Sequence, residues 1–473
     1  MKALKPFIIM AILGLFAAQC ADKANQEEQK KDDFQYKIDQ FADIRIMRYQ
    51  VSGFDDLSLD QKKLVYYLGQ AALCGRDIMF DQNYENNLIV RRTLEEIYKN
   101  FEGDRTTEDF SKFMVYLKRV WFSNGIHHHY STDKMKPEFS ADYFEELVKK
   151  SPKSVFPGDF KSHQQFMTFI KPILFDPEVA SKRVSQNTEK DLIQQSANNY
   201  YGEVSQEEVE KFYDKIADED DPTPISYGLN SKLIKENGEV KEKVWKVGGM
   251  YSAAIKEIVK WLEKAAGVAE NDKQKEVINT LIDYYRTGNL ETFDEYSVKW
   301  VQDLDSRIDF INGFIETYGD PMGMKASWES VVNFKDIEAT RRTETLSNNA
   351  QWFEDHSPID DRFKKEEVKG VTAKVITAAM LGGDCYASTP IGINLPNADW
   401  IRKEHGSKSV TMDNITYAYD QVAMQSGFLE EFAASQEEID RQRKYGSISD
   451  NIHTDMHECI GHASGQLLPE TSS

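Results

Sequence analysis

The sequence predicts a predominantly helical α+β fold with two lobes and one small sheet. Three observations carry this prediction. Apolar residues recur at helical spacing from about residue 35 onward, as in "SAAIKEIVKWLEKAAG", where Ile255, Ile258, Val259 and Leu262 fall at i, i+3, i+4 and i+7. Strand-like runs are confined to the later part of the chain. The length of 473 residues suffices for two or three domains with ample cores.

Taken in order, the amino terminus reads as an export signal. Lys2 and Lys5 form its basic start, and Phe7 to Ala18 form an apolar run too short to span a bilayer as a mature helix. Ala17 and Ala18 then precede Cys20, a candidate lipid anchor of the lipoprotein kind. Gln19, and alanine three places before the cysteine, depart from the usual lipidation pattern. A plain cleavage point beside Cys20 is therefore the other reading. Residues 21–34 are a polar tether. The expected location is the periplasm or a membrane-anchored lipoprotein, or the cytoplasm if the signal goes unused.

Helices follow at 58–80, 85–101, 109–121, 141–150 and 206–217, then in the run quoted above and at 276–288, which Gly288 ends as a C-cap. Strands are expected at 307–317, 373–381 and 391–396. Segment 335–370 is charged, contains Pro358, and reads as a helix followed by a loop.

Composition excludes one partner class. A net charge of -21 argues against nucleic acid, which calls for a basic patch. Cysteines at 20, 74, 385 and 459 are too few and too scattered for a disulfide framework.

The chemistry concentrates in "NIHTDMHECIGHASGQ", residues 451–466. His457 and His462 are five apart, which on a regular helix is about 140° and nearly opposite. One extra residue absorbed as a π-type bulge would return them to one side, and Gly461 lies inside that insertion. Glu458 would then stand beside the metal as the base for a zinc-activated water. The bland reading is a pair of ordinary helix histidines, and His453 with His457 forms a second pair at i, i+4. Cys459 reads as a small buried residue rather than a ligand. Three adjacent histidines in "NGIHHHY" look like a metal site, but successive side chains diverge on any regular backbone. They are expected in a polar loop facing a cleft.

"HECIGHASGQ" resembles the H-E-x-x-G-H zinc motif of the dipeptidyl peptidase III family, the M49 metallopeptidases. "GFIETYGDPMG" (313–323) and "GINLPNADWIR" (392–402) resemble its tyrosine-bearing and asparagine-bearing segments, in the family's order. "YGLNSKLIK" and "GFLEEF" are similar to the family as well. The resemblance implies zinc held by His457 and His462, with Glu458 as catalytic base and Tyr318 as donor to the oxyanion. It implies Glu316 paired with the peptide's α-ammonium, and Asn394 and Asn397 hydrogen-bonded to its first residues. Backbone from Ser388 to Ile391 would take the peptide as an added strand. The substrates would be oligopeptides, losing dipeptides from a free amino end. The fold would be two lobes around a cleft: a substrate-binding lower lobe of 35–335 plus 380–425, with a small sheet or barrel, and a helical zinc lobe of 336–379 plus 426–473.

The sequence departs from the family at one point. A third ligand, a glutamate in E-E-x-x-A-[D/E], is expected after the hexapeptide, and nothing after His462 fits. Glu470 is the only acid there, and "EEFAAS" (430–435) lies upstream and ends in serine. The zinc lobe therefore reads as incomplete and the chain as truncated, with little activity expected of it. The alternative is an inactive, peptide-binding pseudoenzyme; an aminopeptidase or endopeptidase with the same metal chemistry is a third reading. Oligomeric state and side-chain preference are not legible.

Overall fold

A computed structural model describes residues 34–152, 156–218, 220–368, 372–387, 389–461 and 464–466. The signal, Cys20 and nearly all of the tether lie outside the described residues, as do Ser388, His462 and Glu470.

The chain enters through a hairpin, β1 (Lys37–Phe41) and β2 (Ile44–Met47), followed by six helices: α1 (Leu59–Cys74), α2 (Arg76–Asn83), α3 (Asn87–Asn100), α4 (Glu108–Phe122), α5 (Ala141–Lys149) and α6 (His163–Phe175). Local chemistry sets their ends. Ser58 and Gln61 form a capping box at α1, and Thr107, Ser140 and Ser162 cap α4, α5 and α6 through their hydroxyls. Three strands and a helix come next: β3 (Tyr201–Gly202), α7 (Gln206–Tyr213), β4 (Ser231–Glu236) and β5 (Glu239–Val244). Three amphipathic helices follow: α8 (Ser252–Ala266), α9 (Asp272–Thr287) and α10 (Leu290–Gln302). Gly288 takes φ +70° and closes α9 by donating to the Tyr284 carbonyl, as its position predicts.

The central sheet is built from β6 (Ile308–Glu316), β7 (Ser327–Lys335), β8 (Thr372–Gly383), β9 (Gly392–Leu395) and β10 (Lys408–Met412), in the order β6-β7-β8-β10-β9. Between β7 and β8 run α11 (Ile337–Ser347) and α12 (Ala350–His356); the short α13 (Asp384–Ala387) follows β8, and α14 (Asp399–His405) precedes β10. The carboxyl-terminal part is α15 (Asp413–Met424), α16 (Phe428–Phe432), α17 (Gln436–Met456) and a π-helical turn, His457–Gly461.

Two large apolar cores hold this together. One joins α1, α8, α9 and α10 to the five-stranded sheet, with Leu64, Ile258, Tyr284, Phe314 and Trp328 fully buried. The other lies among α2 to α6 around Val90, Phe113, Phe144 and Ile170.

Two expectations need correction. The described residues contain three sheets rather than one: β1-β2, β3-β4-β5 and the five-stranded sheet. The five-stranded sheet is also not a closed barrel, because β6 and β9 are its two edges and do not pair. It is nevertheless strongly curled. Lys408 on β10 meets Asp309 on β6 at 2.9 Å, across two intervening strands. β8 begins at Thr372, inside the segment read as the zinc lobe, yet belongs to this sheet. No helix among the described residues is long and apolar enough to cross a membrane.

Candidate active site

The curl of the sheet brings its two edges together at one end. β6 finishes at Glu316 and runs into a tight turn. Asp320 organises that turn: its carboxylate accepts the backbone N–H of Met322, Met324 and Lys325 at 3.1, 2.9 and 2.7 Å, and the Tyr201 hydroxyl at 2.8 Å. Asn198 donates to the Gly319 carbonyl at 3.0 Å. Tyr318 is thereby held on the outside of a rigid turn, 85% exposed.

On the opposite edge, β9 pairs antiparallel with β10, placing Asn394 across from Ser409, and the Asn394 amide donates to the Ser409 hydroxyl at 2.7 Å. Just beyond β9, the Asn397 amide donates to Glu316 Oε1 and to the Ile315 carbonyl, both at 3.4 Å. Arg402 supports this loop from α14, donating to the Pro396 carbonyl at 2.6 Å, the Asn394 carbonyl at 3.1 Å and Asn397 Oδ1 at 3.4 Å.

Glu316, Tyr318, Asn394 and Asn397 line one cleft of about 920 Å³. Its other walls include His129, Tyr130, Arg183, Glu329, Asp384 and Arg402. The triple-histidine loop faces this cleft as expected, but its rings do not all diverge: those of His128 and His129 lie 4.4 Å apart, centroid to centroid. His127 is buried on the Ala180 carbonyl at 2.8 Å, His128 meets Asp43 at 3.2 Å, and His129 packs edge-on against Phe122.

The cleft is lined by three carboxylates, Glu316, Glu329 and Asp384, and by three cations, Lys182, Arg183 and Arg402. Burial raises the Glu316 carboxyl above its ordinary range, opposed by the Asn397 hydrogen bond. Glu329, fully enclosed, is raised well above the ordinary range by burial, and Glu316 and Asp384 add to the effect. Asp384 is raised by burial and eased by Arg183. A cationic group entering the cleft would relieve all three. Sequence reading misses Glu329, Asp384, Arg183 and Arg402, because only the curled sheet brings them to one place.

The metal motif forms a second cluster. The residue run His457–Gly461 is π-helical, the distortion that the five-residue histidine spacing requires. It packs against α11, α12, β8 and β10, and His457 is not among the residues lining the cleft. His462 and the Glu458 side chain lie outside the described residues. Among the described residues no set of three His, Cys, Asp or Glu is arranged to hold a metal. The backbone thus fits the metal reading of His457, and the turn is present where two imidazoles five apart need it. Gly461, at the end of the turn, does not adopt a left-handed φ, and among the described atoms a Cβ there would only touch His457 Nδ1 at 4.0 Å.

Comparison with known proteins bears on the whole chain. Residues 178–473 match the sequence profile of Peptidase family M49. Dipeptidyl peptidase 3 of Nematostella vectensis is 22% identical, over 93% of this chain and 64% of that protein. Dipeptidyl peptidase 3 of Homo sapiens is 22% identical over 88% and 60% respectively. Among solved structures, DPP III from Caldithrix abyssi superposes with TM-score 0.62 at 20% identity, covering 86% of this chain and 64% of that one. Dipeptidyl-peptidase III from Corallococcus sp. strain EGB gives 0.58 at 17% identity, over 92% and 65%. The two-lobed α+β fold is shared, and the chain spans less than two-thirds of the length of each of these proteins.

Proposed function

The chain belongs to Peptidase family M49, and from that premise we propose that it is a zinc-dependent dipeptidyl peptidase acting on the free amino end of oligopeptides. One observation carries the reading: an anion, a phenol and two amides, on opposite edges of a curled sheet, meet in one cleft. Glu316 pairs with the α-ammonium, and the buried carboxylates Glu329 and Asp384 beside it favour a cation there. Asn394 and Asn397 fix the first two residues. The backbone from Ser388 to Ile391, leading into β9, whose outer edge has no strand partner among the described residues, receives the peptide. Tyr318 donates to the oxyanion that develops on the scissile carbonyl.

His457 and His462 are the zinc ligands in this proposal. Zinc held there would supply Lewis acidity and lower the pKa of water toward neutral pH. Glu458 takes the proton from the attacking water and passes it to the leaving amine. With β8 assigned to its sheet, residues 35–335 plus 372–425 form the substrate lobe in this proposal, and 336–371 plus 426–473 belong to the zinc lobe. Export, with Cys20 as lipid anchor, is part of the same proposal and is tested by labelling cells with radioactive palmitate.

The deciding assay compares unblocked and amino-acetylated peptides with zinc present. Release of dipeptides from unblocked peptides alone is the expected result. Release of single residues, or cleavage of blocked peptides, overturns it. Binding without cleavage assigns the chain the peptide-capturing role instead.

A further inference from the structure

The π turn at His457–Gly461 is an irregular backbone, and such a turn persists only where its surroundings hold it. Two buried carboxylates grip it from either side. Upstream, Asp455 near the end of α17 is 0% exposed, and its Oδ2 accepts from the Thr343 hydroxyl at 2.9 Å and from Arg342 Nε at 3.2 Å. Downstream, Glu354 of α12 is also 0% exposed, and it accepts the backbone N–H of Gly465 at 3.0 and 3.2 Å and of Lys365 at 2.6 Å. Gln466 completes the downstream grip, taking the Phe363 carbonyl with its backbone N–H at 2.8 Å and the Lys364 carbonyl with its side chain at 2.8 Å.

The geometry points to Asp455 of α17, tied to α11, and Glu354 of α12 as positioning residues that hold the metal motif against two consecutive helices. Neither belongs to the motif, and both reach it through backbone or through a neighbouring helix. A buried carboxylate with fixed donors resists displacement, since moving it leaves charge and N–H groups unpaired. Supporting groups of this kind tune metal affinity by about 10–100-fold. The inference rests on the reading of His457 as a zinc ligand, and the experiment separates the two.

Asp455→Asn, Glu354→Gln and Thr343→Val are compared with the parent in the full chain, with Glu430→Gln on the exposed α16 as control. Zinc affinity is measured by competition with a chelator, and amide hydrogen exchange at 457–461 is measured without metal. The expected result is zinc binding weakened about tenfold or more and exchange at 457–461 faster by a similar factor, with rescue by Thr343→Ser. Faster local exchange in the variants, with a parent that itself binds no zinc, supports the clamp and overturns the metal reading. Folded variants with parental exchange and parental zinc affinity overturn the clamp. Should Asp455→Asn fail to fold, Thr343→Val, which removes one donor and leaves the carboxylate, decides by the same readouts.

Discussion

Tyr318 stands almost fully exposed on a turn held by Asp320, Asn198 and Tyr201. That arrangement suits a hydroxyl needed only when an oxyanion forms. Tyr318→Phe should therefore lower kcat by about 10²–10³ with little change in KM; a loss confined to KM would make it a binding residue only. Glu316 gives a second expectation, with a definite sign. Burial raises its pKa, so the ionised form that captures the α-ammonium is lost as pH falls through a value above the ordinary 4.5. The acid limb of kcat/KM should lie correspondingly high. Asn397 donates to Glu316 and favours the ionised form, so Asn397→Ala should move that limb to still higher pH. A limb that stays in place would separate Asn397 from the charge. At this scale the sequence supplies the actors but not their setting. Glu316 and Asn397 are 81 positions apart, and nothing local to either shows that they touch.

Among the elements, the helices are the most legible, because each presents an apolar stripe at the 3.6-residue period and a hydroxyl or amide cap. β7 is the instructive omission. "SWESVVNFK" reads as mixed and polar, yet all but its last residue are buried, because both faces of the strand are covered and Glu329, Ser330 and Asn333 lie inside. A strand buried on two faces has no alternation to read. The π turn is the opposite case, an irregularity legible in advance because the chemistry of two histidines requires it. Glycines separate the two kinds of constraint. Gly383 ends β8 at φ +64°, and a Cβ there would sit 2.1 Å from the Trp328 carbonyl oxygen. Gly383→Ala should lower unfolding free energy by about 2 kcal/mol or more in urea titrations, combining left-handed strain with a clash against backbone. Gly461→Ala meets no described atom closer than 4.0 Å and should stay within about 0.5 kcal/mol. Equal losses at the two positions would contradict this account.

Across the whole molecule, the site exists because a five-stranded sheet curls until its unpaired edges face each other without closing. The Lys408–Asp309 pair, buried beneath Trp300, ties the fourth strand in spatial order to the first. Trp300 also donates to Asp309 at 2.8 Å. The same curl sets the reach from Asn397 to Glu316. Asp309→Asn keeps the shape and the Trp300 acceptor but strands the Lys408 ammonium, an arrangement that typically costs about 3–5 kcal/mol. Nearby Lys374 makes that loss depend on pH. Its pKa is pushed down to about 7 from 10.5, chiefly by burial and then by Lys408, with Asp309 opposing. Between these values the unfolded chain binds more protons, so stability rises with pH across that window. Below it Lys374 is charged beside Lys408, and Asp309 is needed most. Asp309→Asn should thus destabilise more at pH 6 than at pH 9, and Asp309→Asn with Lys408→Met should recover much of the deficit at both. If the curl also positions the substrate groups, the single variant raises KM for unblocked peptides while kcat changes less, and the double variant restores stability without restoring KM. A double variant that recovers both would show that the pair holds the sheet together without setting its curvature, leaving the cleft to be shaped by the loop that Arg402 supports.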